Sequence, residues 1–237
     1  MKRNWEALVL KACGGRNFRL TVLGPEPVSG PYHRLRMDGG GLLQACGVHP
    51  TMWIRLWFDH GGKPHQRAYT LVDPDPETGE FSLEFAVHEG PAPRWAGAAK
   101  PGDTIEATVQ GTAFVAPDPA PRRLYLVGDA ASVPAVNSLL DTAATTPATL
   151  WLEYAHDDER DGPLRTREQH TVHWVERRDH GRHLVDTVRA ALAAAESGAF
   201  YWIATEAATT RSLVKHLRRG LGVDKQQVSA LGYWRAA

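Results

Sequence analysis

The sequence predicts two architectures in one chain, an N-terminal antiparallel β-barrel followed by a small doubly wound α/β domain with a parallel sheet. Three observations carry this expectation. Up to about residue 116, short β-branched and aromatic runs are separated by Gly/Pro clusters and show little helical periodicity. Ala116–Arg122 (APDPAPR) then packs three prolines into a short stretch, which is stiff, extended and reads as a linker. Beyond it, strand-like runs alternate with helical segments of about 10 to 15 residues, the pattern of a parallel sheet covered on both faces. The two domains are expected over 1–118 and 119–237.

In the first half the clearest strands are Phe18–Leu23, Met52–Phe58, Phe81–His88 and Thr104–Val109, and about six at this spacing close most simply into a barrel. The stretch VDPDPETGEFSLEF reads as a hairpin, with Pro74, Pro76 and Gly79 in its turn and Phe81, Leu83 and Phe85 alternating afterwards. In the second half the expected order is strand 124–127, helix Val133–Ala144, strand 149–154 and strand 172–175. Helix His183–Glu196, strand 200–205, helix Ala207–Arg219 and strand Val228–Tyr233 follow.

Composition narrows the function classes. With 237 residues and 43% apolar side chains the chain can bury two cores. Its 27 basic and 27 acidic residues balance, so no global field favours nucleic acid or an anionic membrane, and neither is expected as a partner. Cys13 and Cys46 form neither a metal-ligand spacing nor a disulfide framework, as a reducing compartment permits. The basic start MKR leads into an apolar run that Lys11 breaks before signal-peptide length, and no run approaches the roughly 20 residues of a membrane helix. A cytoplasmic monomer or weak dimer is expected. His60, His65 and His88, and separately His170, His173, His180 and His183, lack carboxylates at ligand spacing, so no metal site is expected. Ser132 lies in no G-x-S-x-G elbow.

Two segments carry candidate chemistry. LYLVGDAASVPAV is a strand, a turn from Gly128 and Asp129 to Ser132, and a helix opening with Pro134, the junction at which α/β folds place ligands. Alone it is no more informative than any strand–Gly–helix junction. Arg67-Ala68-Tyr69-Thr70 sits at a strand end, and alternation puts Arg67 and Tyr69 on one side and Thr70 on the other. A guanidinium there can clamp a pyrophosphate, a phenol ring can pack on a planar cofactor, and a hydroxyl can reach its edge.

R-x-Y-[S/T] in this setting resembles the flavin-binding signature of the ferredoxin-reductase superfamily. Three further stretches follow in order. Phe85, Val87 and His88, then Gly90, Pro91, Ala92, Arg94, Trp95 and Ala96, then Pro101, Gly102 and Asp103 resemble the F-V-x-H, G-P-A-[S/T]-x-W-A and P-G-D stretches of the siderophore-interacting proteins. VGDAASVPA resembles that family's V-G-D-E-T-A-x-P-A, and Gly232-Tyr233-Trp234-Arg235 its terminal G-Y-W-R. The resemblance implies a reductase that binds FAD and NADPH or NADH and releases iron from a ferric siderophore. It implies Thr70 and Tyr69 as catalytic residues. Arg67, Tyr69, Thr70, His88, Gly90, Pro91, Ala92, Arg94, Trp95, Gly128, Asp129, Ser132, Glu206, Tyr233 and Trp234 become the cofactor-binding set. An anionic siderophore needs a basic wall, for which Lys215, Arg218, Arg219 and Lys225 are candidates; a merely solvated helix face is the competing reading.

Four departures fall on functional positions. Pro93 stands where the family has Ser or Thr, which removes a hydroxyl and a backbone N–H; Ala130 and Ala131 replace Glu-Thr, with Ser132 one step away as a substitute. Val72 stands where a second Arg is common, and Thr205 replaces a Gly before Glu206. Either flavin is held loosely, or the fold is repurposed for small-molecule binding or a non-redox step, in a cleft lined by Trp53, Trp57, Tyr69 and Trp95.

Overall fold

The structure, a computed structural model, describes residues 15–236; Cys13 and the basic start of the chain lie outside the described residues. It divides into two compact units that meet in sequence between Phe114 and Val115.

The first unit is a closed six-stranded antiparallel barrel, as the sequence predicts. Its strands are β1 (Arg16–Glu26), β2 (Tyr32–Asp38), β3 (Trp53–His60), β4 (Lys63–Asp75), β5 (Glu80–Ala86) and β6 (Thr104–Val109), in the order β1-β2-β5-β4-β3-β6 with β6 returning to β1. Closure removes the sheet's free edges. Period-2 alternation decides what each strand buries: Ile54, Leu56 and Phe58 of β3 face the core, while Trp53, Arg55 and Trp57 face outward and are half-buried. Phe81, Leu83 and Phe85 line the same core, as their spacing predicts.

The hairpin before them differs in detail. Pro74 remains in β4, which runs on to Asp75 past a bulge after Val72 where Asp73 adopts φ 48°. Asp75 anchors the turn by accepting from the Glu77 amide (2.8 Å) and the Thr78 hydroxyl (2.9 Å), and these bonds hold its carboxyl below the usual carboxylate range. β5 also stops at Ala86, two residues short of expectation, because the chain turns into helix α2 (Pro91–Ala98). A short helix α1 (Leu42–Cys46) precedes β3. The prolines of GPAPRWAGA disguise α2, yet both fall in its first turn, where a missing N–H costs no intrahelical bond. Ala92, Pro93 and Ala96 bury its inner face.

The second unit carries β7 (Arg123–Asp129), α3 (Val133–Thr142), β8 (Ala148–Tyr154), β9 (His170–Glu176), α4 (Arg182–Ala191), β10 (Ala199–Ile203), α5 (Ala207–Lys215) and β11 (Val228–Ala230). Its parallel sheet has the order β11-β10-β7-β8-β9. α4 ends five residues before the expected Glu196, because Glu196 engages elsewhere: its amide donates to the Tyr201 hydroxyl (3.1 Å) and its carboxylate meets Arg123 (3.3 Å) and Tyr125. β11 ends at Ala230 rather than Tyr233; the tail beyond it stays attached through Tyr233 N–H to Thr205 C=O (2.9 Å) and a bridge between Glu206 and Trp234.

Phe85 is fully buried beneath α2, so Phe85→Ala is expected to cost about 3–5 kcal/mol, read as a lower denaturation midpoint with an unchanged slope in denaturant.

Candidate functional site

In the barrel, antiparallel register fixes where the Arg67–Thr70 side chains point. Arg67 pairs with Leu56 and Tyr69 with Ile54, so both take the core-facing side of β4, whereas Thr70 pairs with Trp53 on the other. Arg67 lies midway along the pairing of β3 and β4 rather than at the strand end expected from sequence, is exposed, and donates to the neighbouring Gln66 carbonyl (3.0 Å). Thr70 is buried.

Tyr69 is placed differently from the expected free stacking surface. Its ring lies 4.4 Å from that of Phe85 and 6.4 Å from that of Phe58, and Trp95 of α2 packs on the same two phenylalanines at 6.0 and 5.8 Å. The four rings close the barrel end under α2 in tilted and edge-to-face contacts. Burial pushes the Tyr69 phenol well above its ordinary value, against a smaller pull from the Arg67 guanidinium, so the phenol stays protonated. Trp53 and Trp57 lie on the opposite face of β3, where the Trp57 indole donates to Thr108 (2.9 Å) and Arg55 covers Trp53. The expected single cleft of Trp53, Trp57, Tyr69 and Trp95 is therefore corrected: side-chain alternation puts the pairs on different faces.

The turn into α2 gathers His88, Gly90, Pro91, Ala92 and Arg94. His88 is exposed, with Nδ1 2.8 Å from the Glu89 carbonyl. Gly90, the N-cap, supplies no side-chain cap, and a Cβ there would press the His88 ring at 3.0 Å. Arg94 donates from both its amide (3.4 Å) and its Nε (3.1 Å) to the Gly90 carbonyl. Pro91 and Pro93 have no N–H, so Ala92 contributes the one uncommitted amide of the first turn. The first turn of α2 therefore offers an anion one free amide and a helix dipole, fewer donors than a Ser or Thr at position 93 would give.

In the α/β unit the expected residues converge at the carboxyl end of the sheet. Asp129 closes β7 and is 2% exposed. One of its oxygens accepts from the Ala131 amide (3.1 Å) and the other from the Trp234 indole (2.7 Å). Ser132 is fully buried; its hydroxyl accepts from the Asp129 amide (2.8 Å) and donates to the Asp129 carbonyl (2.9 Å). It therefore does not present the hydroxyl that Ala130 and Ala131 lack. Gly128 is required beneath it, since a Cβ would collide with Ser132 Oγ. Glu206 caps α5 by accepting from the Ala208 amide and the Thr209 amide (3.0 Å).

Sequence reasoning missed two members of this cluster, Glu153 and Arg177. Arg177 Nε donates to Glu153 Oε2 (2.7 Å) and its guanidinium covers the Trp234 ring at 4.9 Å. Glu153 is 2% exposed and its Oε1 has no partner. Strand 2 of a doubly wound sheet often ends in such an acid, which was the available signal. Desolvation raises the Asp129 carboxyl to about 6, reinforced by Glu153 and opposed by the Trp234 bond, Arg177 and the Ala131 amide.

Lys215, Arg218, Arg219 and Lys225 do come together, but elsewhere. α5 starts at the carboxyl end of β10 and runs back to end at Lys215 rather than the expected Arg219; a π-helical turn, His216–Gly220, carries Arg218 and Arg219 at the amino end of the sheet, where Lys225 precedes β11. Among the described residues no group of three or more His, Cys, Asp and Glu side chains is placed to hold a metal, and no helix is long and apolar enough to cross a membrane.

Comparison with known proteins adds to this geometry. Residues 121–237 match a family model described as siderophore-interacting protein, and residues 40–111 one described as siderophore-interacting FAD-binding domain. The mycobactin import ATP-binding/permease protein IrtA of Mycolicibacterium smegmatis is 34% identical over 99% of this chain, which spans only 28% of that protein's length. The NADPH-dependent ferric-chelate reductase of Escherichia coli is 27% identical over 92% of this chain and 87% of its own. Among solved structures, the siderophore-interacting protein SipS from Aeromonas hydrophila superposes with a TM-score of 0.77 at 24% identity, covering 94% of this chain and 99% of that one.

The raised Asp129 carboxyl makes a pH prediction with a definite sign. An acid whose folded value exceeds its unfolded one favours the fold below the unfolded value and loses that contribution as pH rises through about 6. Asp129→Asn keeps an acceptor for Trp234, so its melting temperature relative to the parent is expected to rise between pH 4.5 and 7.5, by on the order of 2 kcal/mol of stability.

Proposed function

The chain belongs to the siderophore-interacting protein family, and from that premise we propose that it is an FAD-dependent reductase that draws electrons from NADPH or NADH and delivers them to iron(III) held by a siderophore. The observation that carries this reading is the exposed, lightly engaged Arg67 on β4, two residues from the half-buried Tyr69, on a barrel whose residues match an FAD-binding model. The similarity to a ferric-chelate reductase over most of both chains supports the acceptor class. When bound, the flavin supplies the step between a two-electron hydride donor and one-electron acceptors. Iron(II) is held far less tightly than iron(III) by hard oxygen ligands, so the metal leaves once reduced.

The chain's own contribution is positioning. Arg67 and the Ala92 amide would hold the cofactor's phosphates, with Arg94 bracing the same turn and Gly90 keeping the approach open. Tyr69 and Trp95 act from beneath, stiffening the barrel end on Phe58 and Phe85, while Thr70 supplies a buried hydroxyl on the other side of β4. In the α/β unit, Gly128, Asp129 and Ser132 shape the turn for the nicotinamide nucleotide, and Glu206, Tyr233 and Trp234 fix the tail against it. The α3 N-terminus offers the dipole. A cytoplasmic site of action, beside an importer that delivers the ferric siderophore, fits the relatives that carry a permease in the same chain.

Purified protein titrated with FAD should show saturable visible flavin absorbance that bleaches on adding NADPH, and iron(II) should then appear in a ferrous-specific chelator when a ferric siderophore is supplied. Arg67→Ala is expected to weaken FAD by about tenfold to a hundredfold, the loss of one hydrogen bond to a charged group. Pro93→Ser restores an amide and a hydroxyl and should tighten it by about tenfold. Protein that never takes up FAD, in parent and Pro93→Ser alike, would favour a repurposed fold.

A further inference from the structure

A groove of about 780 Å³ runs along α5 and β11 in the α/β unit. Its walls carry Arg211, Lys215, Arg218, Arg219, Lys225 and Arg235, and no acidic residue lines it. All six cations are exposed, and none takes part in an ion pair among the described residues. Arg211 and Lys215 lie one turn apart on α5, and Arg218 and Arg219 follow in the π-helical turn His216–Gly220 that continues it, so all four reach the same groove. A formally neutral chain has thus concentrated cations along one channel.

The floor is of a different character. Val214, Val228, Ala230 and Leu231 supply apolar surface, and Leu231 is 47% exposed. β11 is the outer strand of the sheet, paired only with β10. In a parallel strand the N–H and C=O of one residue point to the same side, and they alternate along the chain. The amides of Leu231 and Tyr233 bond the Ile203 and Thr205 carbonyls (2.9 Å each) and that of Val228 bonds the Lys225 carbonyl, so the Ala230 amide is the one that points to the open edge.

We propose that this groove is a docking surface for an extended acidic segment of a partner protein, which adds to β11 as a further strand and lays its carboxylates along the α5 cations. The occupant follows from what the groove combines. An open strand edge recognises backbone in extended conformation, apolar alternate positions receive every second side chain, and the cations select acidic residues for the rest. A nucleic acid would be served by aromatic platforms, and none lines the channel. A free phosphate or a compact siderophore would use one end of a channel whose charges run from Arg211 and Lys215 on α5 through Arg218 and Arg219 to Lys225 and Arg235. Lys215 to Lys225 also lie at the amino end of the sheet, whereas cofactors of this fold class bind at the carboxyl end.

The test uses the full-length protein and a fluorescein-labelled peptide of about ten residues that alternates glutamate and valine, which places every carboxylate on one face of a strand. Anisotropy should show saturable binding that weakens as salt rises from about 50 to about 300 mM. Lys215→Glu with Arg219→Glu should weaken it by about tenfold or more, while Lys215→Arg with Arg219→Lys retains it. Ala230→Pro, which deletes only an outward amide, should weaken it with the charges intact; far-UV circular dichroism and melting temperature establish that each variant is folded. Equal binding of a lysine–valine peptide, insensitivity to the charge reversal, or tighter binding of a single-stranded oligonucleotide would overturn the proposal. So would a reversal that abolishes ferric-siderophore reduction while the parent binds no acidic peptide, which would return these cations to the substrate.

Discussion

The hydrogen bond from the Trp234 indole to the buried Asp129 carboxylate holds the carboxyl end of the parallel sheet together. It joins the turn after the central strand to a tail more than a hundred residues later, and both partners have further commitments. Asp129 caps its own turn through Ala131, and Trp234 lies under the Arg177 guanidinium, which is paired with Glu153. A carboxylate this buried would be costly alone. Indole, amide and guanidinium oppose the desolvation without cancelling it, and with the Glu153 charge adding to it the Asp129 carboxyl stays raised. The same network forces Gly128 below and encloses the Ser132 hydroxyl, so this turn is specified from within before any ligand arrives.

The barrel solves a different problem at its own end. Four aromatic rings and α2 close the core there, and two prolines start the helix rigidly. Rigidity and anion binding compete for the same first turn, because each proline that fixes φ removes an amide that could face a phosphate. Pro93 gives up a donor in that turn, so if an anion binds there it relies on the Ala92 amide and on side chains from outside α2.

Much of this was legible in the residues. Alternation of Phe81, Leu83 and Phe85 announced a core strand, and the Ala116–Arg122 prolines announced a change of architecture. Arg67, Tyr69 and Thr70 were found by pattern and given the correct sides of their strand, but the Tyr69 side faces packed phenylalanines. Strand periodicity says which side chains share a face and not what covers it. α2 was hidden because proline reads as a breaker wherever it falls. Glu153 and Arg177 were hidden because a pair 24 residues apart leaves no local signature, and Glu196 broke the α4 pattern through partners that only folding supplies.

The four cations read from sequence as a substrate wall show how far proximity along the chain can carry function. Helical spacing correctly grouped Lys215, Arg218 and Arg219, and the fold brought Lys225 to them. Grouping is local information, whereas placement depends on chain direction: α5 must run antiparallel to the strands it joins, so whatever charges end it lie opposite the ends where β7 and β10 deliver their loops. A doubly wound sheet thereby separates two kinds of surface on one unit. Residues that open helices lie at the carboxyl end, where cofactors of this fold class bind, and residues that close them, however suitable for an anion, lie at the other.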